Sequence, residues 1–242
     1  MVNQKYYSQY EEDKILNSLL KQKDGFCIEI GGYDGITRSN SYFFEKIGWR
    51  CLIVEPIPRF YEAIKKVRQC DALNVAVSSQ NGFVDFYVAK NVEELSSISP
   101  DIDRVVIKHE SDFEKIQVRT MTLDSIIESY PKSKIDFITI DVEGHEMDVL
   151  LGFNLIKYLP RIIIIEDNSN GKDFEIQNYL AGFGFIKFKR TGCNDWYTSD
   201  KSLYNFLDLL RLKLVFSVYF VFHHMPSPLL NFYRYLKSLL KN

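Results

Sequence analysis

The chain has 242 residues, 46% of them hydrophobic and 26% charged, and a net charge of −2. This length holds one α/β domain with a substantial core and needs no disulfide or metal staple. The near-neutral charge excludes a global basic field for nucleic acid, and no run reaches the roughly 18 apolar residues of a spanning helix.

The opening Met1-Val2-Asn3-Gln4-Lys5 lacks the apolar stretch of a signal peptide. Cys27, Cys51, Cys70 and Cys193 form no C-x-x-C pair. They read as reduced, mostly buried thiols of a cytoplasmic protein. Ser8-Gln9-Tyr10-Glu11 has the form of a capping box, with Ile15, Leu16, Leu19 and Leu20 at helical spacing behind it.

From there the chain alternates. Phe26 to Ile30 predicts a strand, followed by a glycine-rich turn and a helix around Tyr42 to Ile47. Cys51 to Val54 predicts the second strand, Phe60 to Val67 a helix, and Leu73 to Val77 the third strand. An insertion from about Gln80 to Thr122 follows, with a turn at Gln80-Asn81-Gly82 leading into a strand over Phe83 to Val88. Its place between core strands suits a wall of an acceptor pocket. Asp136 to Ile140 and Ile162 to Ile165 predict two more strands, Gln177 to Gly182 a helix, and Phe185 to Phe188 a late strand. Nearly continuous apolar strands separated by helices indicate an α/β fold, its mostly parallel sheet covered by helices on both faces.

Residues 1–200 read as this domain and 201–242 as an amphipathic helical tail. From Leu203 onward, Arg211, Lys213, Arg234, Lys237 and Lys241 stand against the single Asp208, interleaved with aromatic residues such as Phe206, Phe216, Tyr219 and Phe232. Pro226 and Pro228 divide the tail into two helices. A basic, aromatic, amphipathic tail suits peripheral contact with the inner face of a membrane. The competing reading is a helical pair packed on the domain or on a second subunit of a homo-oligomer.

The first strand ends in Glu29-Ile30-Gly31-Gly32-Tyr33-Asp34-Gly35. Glycine here lets the backbone turn sharply and approach a ligand. The second strand ends in Glu55, 24 residues after Gly31, near the spacing at which an acid reaches ribose hydroxyls. The turn is not a clean G-x-G-x-x-G. Tyr33 and Asp34 place bulk and negative charge where a pyrophosphate needs room and positive potential. A cationic sulfonium, as in S-adenosylmethionine, suits that setting better.

The fourth core strand runs into Asp141-Val142-Glu143-Gly144-His145-Glu146, and the fifth ends in Glu166-Asp167-Asn168. Adjacent strand ends lie about 5 Å apart, which lets Asp141, Glu166 and Asp167 converge as hard oxygen ligands for Mg²⁺, Mn²⁺ or Ca²⁺. His145 would act as general base toward a substrate hydroxyl. Competing readings make Glu166 and Asp167 solvated loop residues, Glu143 and Glu146 complements to a helix dipole, and His145 a structural histidine.

Together these stretches resemble the FkbM family of S-adenosylmethionine-dependent methyltransferases. The resemblance rests on Phe26 to Gly35, Ser39 to Lys46, Gly48 to Pro58, Thr122 to Ser125, Ile135 to Glu146 and Ile162 to Glu166, with Ser8-Gln9 and Glu12-Asp13 matching the opening. It implies a Rossmann-like class I methyltransferase fold. It implies a cofactor site from Glu29, Gly31, Tyr33, Asp34, Ser39, Asn40, Glu55, Pro56, Ala76 and Val77. It also implies transfer to a hydroxyl of a sugar, glycan or related natural product. The Asp141 and Glu166-Asp167 arrangement further resembles that of metal-dependent sugar O-methyltransferases, which implies Asp141 and His145 catalytic and a divalent metal on Asp141, Glu166 and Asp167, with the His here four residues past Asp141. Gly32 stands where Ala is common in the family, a difference expected to matter little. Two rivals share parts of the pattern: an NAD-dependent Rossmann oxidoreductase, whose ribose Glu55 also fits, and a non-catalytic, membrane-attached binding module.

Overall fold

The structure, a computed structural model, describes residues 5–90, 96–98, 113–130, 134–169, 171–205 and 209. The chain divides into a unit over Met1–Leu203 and a second over Tyr204–Asn242. The second lies outside the described residues except at 204, 205 and 209, and with it the amphipathic tail expected after residue 200. Among the described residues, no helix is long and apolar enough to cross a membrane.

The apolar runs form the centre of the sheet. Phe26–Ile30 (β1), Arg50–Val54 (β2), Phe137–Ile140 (β7) and Ile162–Glu166 (β8) are almost wholly buried, as expected of parallel strands covered on both faces. Asp71–Leu73 (β3) extends one edge and Ile186–Thr191 (β9) the other, with Asn194–Thr198 (β10) lying between β9 and β8. The strand order is β3-β2-β1-β7-β8-β10-β9. β10 runs antiparallel to both of its neighbours, while β3, β2, β1, β7 and β8 pair in parallel. The order reverses between β1 and β7, so a crevice opens at their carboxyl ends, the usual ligand position in such sheets.

A smaller sheet holds Ala76–Val77 (β4), Gly82–Ala89 (β5) and Phe113–Met121 (β6), with the order β4-β6-β5. β5 and β6 form an antiparallel ladder from Gly82↔Thr120 to Ala89↔Phe113. The helices are Glu12–Leu20 (α1), Tyr42–Lys46 (α2), Pro58–Val67 (α3), Leu123–Ile127 (α4), Glu146–Leu151 (α5), Leu155–Tyr158 (α6) and Glu175–Ala181 (α7). One core cluster joins β1, β2, β7 and β8 to Leu123, Ile126, Val149, Leu150, Leu180 and Phe185.

Three local expectations change. The single strand expected over Leu73 to Val77 is two strands in two sheets. The chain breaks at Asn74, whose Nδ2 donates to the carbonyls of Glu55 at 2.8 Å and Pro56 at 2.9 Å. The capping box at Ser8 does not form as written. Ser8 Oγ instead accepts the Asp13 N–H at 3.2 Å and donates to Asp13 Oδ1 at 2.6 Å, and left-handed Glu11 precedes α1. Third, β10 was not anticipated. Its alternation is masked because both of its faces are buried.

Candidate active site

A cavity of about 460 Å³ lies at the carboxyl ends of β1, β2, β7 and β8, within the size range of small-molecule sites. The turn after β1 makes it possible. Gly31 has φ +90°, and a Cβ there would sit 1.9 Å from the Asp141 carbonyl oxygen. The backbones of β1 and β7 therefore touch where the crevice begins. Asp141 N–H donates to the Ile30 carbonyl at 3.0 Å, which fixes the carboxyl end of β7 against that of β1.

Gly32 matters more than the sequence suggested. A Cβ there would meet Ile53 Cγ2 at 2.3 Å. That methyl stands on a stiff, β-branched side chain, so in this chain Ile53 fills the space an alanine would need.

The cavity has two halves. One is apolar, walled by Val54, Ile57, Phe60, Val75, Ala76, Val77, Phe86 and Ile98. Phe86 and Ile98 come from the insertion between the core strands, along with Ser96. Tyr33, held at φ 45°, packs edge-on against Phe60 with centroids 4.5 Å apart. Glu55 closes this half. Its carboxylate accepts the N–H of Tyr33 at 2.9 Å and of Ile57 at 2.9 Å. Burial pushes its pKa up to about 7, against the pull of those backbone donors.

The other half is acidic and is lined by Glu29, Asp141, Glu143 and Glu166 with Thr139, His145, Asn168 and Cys193. Register explains the pairing, since Ile140 lies opposite Ile165 and the residues that follow them in sequence meet at the sheet edge. Carboxylate oxygens of Asp141, Glu143 and Glu166 lie within 4.8 Å of one another. Asp141 opens into the cavity but has protein around it on the other sides. Burial first, then the Glu166 and Glu146 charges, drive its pKa well above the usual carboxylate range.

Three residues take different places from those expected. Asp167 does not join the oxygen cluster. Arg190 holds its carboxylate at 2.7 Å, and the Ser169 and Gly171 N–H groups donate to it at 2.8 Å each. Glu143 stands in the cluster instead. Its φ of 54°, next to Gly144 at φ 98°, is a backbone conformation that is costly for a residue with a Cβ. Glu146 follows the bland reading: its carboxylate accepts the Gly144 N–H at 3.0 Å and so closes the loop before α5. Asp34 lies outside the cavity wall. Its carboxylate accepts from the N–H groups of Ile36 and Thr37 and from the Thr37 hydroxyl, at 2.6–2.8 Å, and shapes the loop rather than facing a ligand.

Glu29 lines the cavity, but its loop occupies it. It accepts the Ser39 hydroxyl at 2.8 Å, the Asn40 N–H at 2.6 Å and the Ser41 hydroxyl. Gly31, Tyr33, Ser39, Asn40, Glu55, Pro56, Ala76 and Val77 share its cavity. His145 immediately precedes α5. Its Nε2 is 3.1 Å from Ser78 Oγ and its Nδ1 is 3.5 Å from Asp148 Oδ2. Burial lowers its pKa against the pull of Asp148, which keeps the ring neutral at pH 7.

Two buried polar atoms on the cavity wall have no hydrogen-bond partner, Thr139 Oγ1 and Asn40 Oδ1. Buried polar groups rarely stay unsatisfied without a reason. Thr139 carries no motif in the sequence, although it sits two residues before Asp141 and strand alternation puts both on one face.

A family model described as the methyltransferase FkbM domain matches residues 29–187. No curated protein matches the chain. Among solved structures the chain is similar to precorrin-6y C5,15-methyltransferase from Geobacter metallireducens GS-15, with 11% identity, a TM-score of 0.41, and coverage of 81% of this chain and 90% of that one. The family match begins at Glu29 in β1, ends in β9 and takes in both halves of the cavity. It spans more than half of the sequence, and the chain belongs to the FkbM methyltransferase family.

Proposed function

We propose that the protein is an S-adenosylmethionine-dependent O-methyltransferase acting on a hydroxyl of a sugar, glycan or related natural product, with Mg²⁺ or Mn²⁺ positioning the acceptor. The observation that carries this reading is the division of one cavity into an apolar half closed by Glu55 and an acidic half floored by Asp141, Glu143 and Glu166.

The residues fit the cofactor. Glu55 has lone pairs left for ribose hydroxyls after accepting two N–H groups. Ala76, Val77, Ile57 and Phe60 offer an apolar slot for a base. Asn40 Oδ1 and Thr139 Oγ1, buried in residues of the cavity wall, have acceptor capacity that no partner uses. The acidic half favours a cationic sulfonium and opposes the pyrophosphate of a dinucleotide, so NAD fits poorly. When bound, S-adenosylmethionine supplies an electrophilic methyl group.

The residues also fit a divalent cation. Three carboxylates in one cluster are hard oxygen ligands, and the strain of holding Asp141 beside Glu166 is relieved by positive charge. Bound there, the ion would lower the pKa of an acceptor hydroxyl. Asp141, Glu143 and Glu166 would hold it, with Glu143 in the place first given to Asp167. His145 is the neutral base on the cavity wall. To take the acceptor's proton, Nε2 must exchange Ser78 Oγ for the acceptor hydroxyl, while Asp148 steadies Nδ1. The wall aligns hydroxyl and methyl group, and positioning carries most of the rate gain.

The test is a screen of nucleotide sugars and glycan fragments for production of S-adenosylhomocysteine, repeated after EDTA treatment and after Mg²⁺ or Mn²⁺ return. Metal-restored turnover supports the reading. Turnover indifferent to EDTA removes the metal, and calorimetry showing NAD binding without S-adenosylmethionine binding removes the cofactor assignment.

A further inference from the structure

Among the described residues, the cavity is lined by five acidic residues, Glu29, Glu55, Asp141, Glu143 and Glu166, and by one Lys or Arg, Arg38. A wall of this composition repels any anionic part of a ligand. A bound molecule that carries a carboxylate is best met there by a cation, and among the described residues lining the cavity Arg38 is the Lys or Arg that can supply it.

Arg38 is exposed, and among the described residues its guanidinium enters no ion pair. Its backbone is nevertheless held firmly. It has φ 60° and forms a parallel bridge with Ser8. On one side, Asp34 binds the Thr37 N–H and hydroxyl. On the other, Glu29 binds the Ser39 hydroxyl and the Asn40 N–H. A guanidinium with no ion pair among the described residues, carried on a loop anchored on both sides, is available to a bidentate partner. Two residues along, Asn40 also lines the cavity and carries a buried, unpartnered Oδ1.

We propose that Arg38 is the anion-recognising residue of this cavity and holds a carboxylate or phosphate of a bound small molecule. This rests on the reading of the cavity as the cofactor and acceptor site. Two sources present that chemistry: the amino-acid arm of the cofactor, whose ammonium would face the acids, and an acidic acceptor.

The test compares wild type with Arg38→Gln, with Arg38→Lys as the conservative variant. Arg38 is exposed, so thermal melting should be unchanged in both. Calorimetry measures S-adenosylhomocysteine, 5′-methylthioadenosine (which lacks the amino-acid arm), and glucuronate and inorganic phosphate added to the S-adenosylhomocysteine-loaded protein. A bidentate charged contact predicts roughly tenfold or greater weakening in Arg38→Gln, partly restored in Arg38→Lys. Weakening of S-adenosylhomocysteine with 5′-methylthioadenosine unchanged supports the proposal and names the cofactor as the source. Weakening confined to glucuronate or phosphate supports it and names the acceptor. If 5′-methylthioadenosine binds and Arg38→Gln alters none of the other affinities, the proposal falls and the cavity reading stands. If wild type binds neither nucleoside, both fall.

Discussion

Replacing Glu55 with glutamine should change how stability responds to pH. The wild-type carboxyl is 4% exposed and titrates near 7 in the fold, against an ordinary value of 4.5. Its folded pKa is raised, so its contribution is fully present below about pH 4.5 and is lost as the pH rises through about 7. The gap corresponds to about 3 kcal/mol. Glutamine does not titrate. Its amide nitrogen must also face one of the two N–H donors, Tyr33 or Ile57, a mismatch costing about 1–3 kcal/mol at every pH. Urea denaturation of both proteins without ligand, at half-unit steps from pH 4.5 to 8.5, isolates the pH-dependent part as a difference. Wild type should be the more stable protein at pH 4.5, and its advantage should shrink by about 3 kcal/mol by pH 8. A difference that stays flat across that range would show that Glu55 is not held protonated by burial. The same carboxylate should release its proton when ribose hydroxyls donate to it. Cofactor affinity should therefore rise toward pH 7, by up to about tenfold per unit, and level off above it.

Gly31→Ala adds a Cβ 1.9 Å from the Asp141 carbonyl at φ +90°; it should destabilise by more than about 3 kcal/mol, and a loss under 1 kcal/mol in chemical denaturation contradicts the contact. Gly32→Ala should cost about 1–3 kcal/mol through Ile53, measured in the same way. Asp141→Asn replaces a carboxyl that Glu166 and Glu146 oppose; the unliganded protein should be no less stable at pH 7, while turnover and, by calorimetry, Mn²⁺ binding are lost. Thr139→Val keeps the side-chain shape and deletes an unpartnered hydroxyl; the melting temperature should hold or rise, and affinity for cofactor or acceptor should fall. Unchanged affinity for both would mean that no ligand reaches Oγ1.

The core was legible where local pattern decides the outcome. Four buried strands read directly from Phe26 to Ile30, Cys51 to Val54, Asp136 to Ile140 and Ile162 to Ile165, each within a residue of its observed bounds, because a run of apolar residues between turn signals has few other uses. Gly31 and Glu55 followed from their places at strand ends. The misplacements have two physical causes: a deciding partner remote in sequence, or a local turn that residue type alone does not announce. Asp167 and Glu166 are chemically similar neighbours, and Arg190 on β9 claims one of them. Glu143 and Glu146 both sit near the start of a helix, and only the left-handed turn at Glu143-Gly144 separates the cluster member from the loop closer. The strand expected from Leu73 to Val77 has the right residues, but Asn74 redirects it through carbonyls of the segment after β2. Arg38 and Thr139 carry no motif, and only the shape of the cavity marks them out.

The loop from Gly35 to Ser41 looks like surface chain, yet its anchor lies in the interior. The Arg68 side chain is fully buried, with Nε 2.6 Å from Glu45 and the rest of its guanidinium on the Gly35 carbonyl and the Ser39 and Ser41 hydroxyls. Glu29, at 3.9 Å, completes the charge balance. Lifting this loop would strand a buried cation and two acids, at a penalty of several kcal/mol. Its amides should consequently exchange hydrogen as slowly as those of the β1–β2 core, and in the same cooperative unit. Newly synthesised chain would then lack this wall of the cavity until α3 docks and delivers Arg68, so the capacity to bind ligand arrives with the final closure of the domain rather than before it.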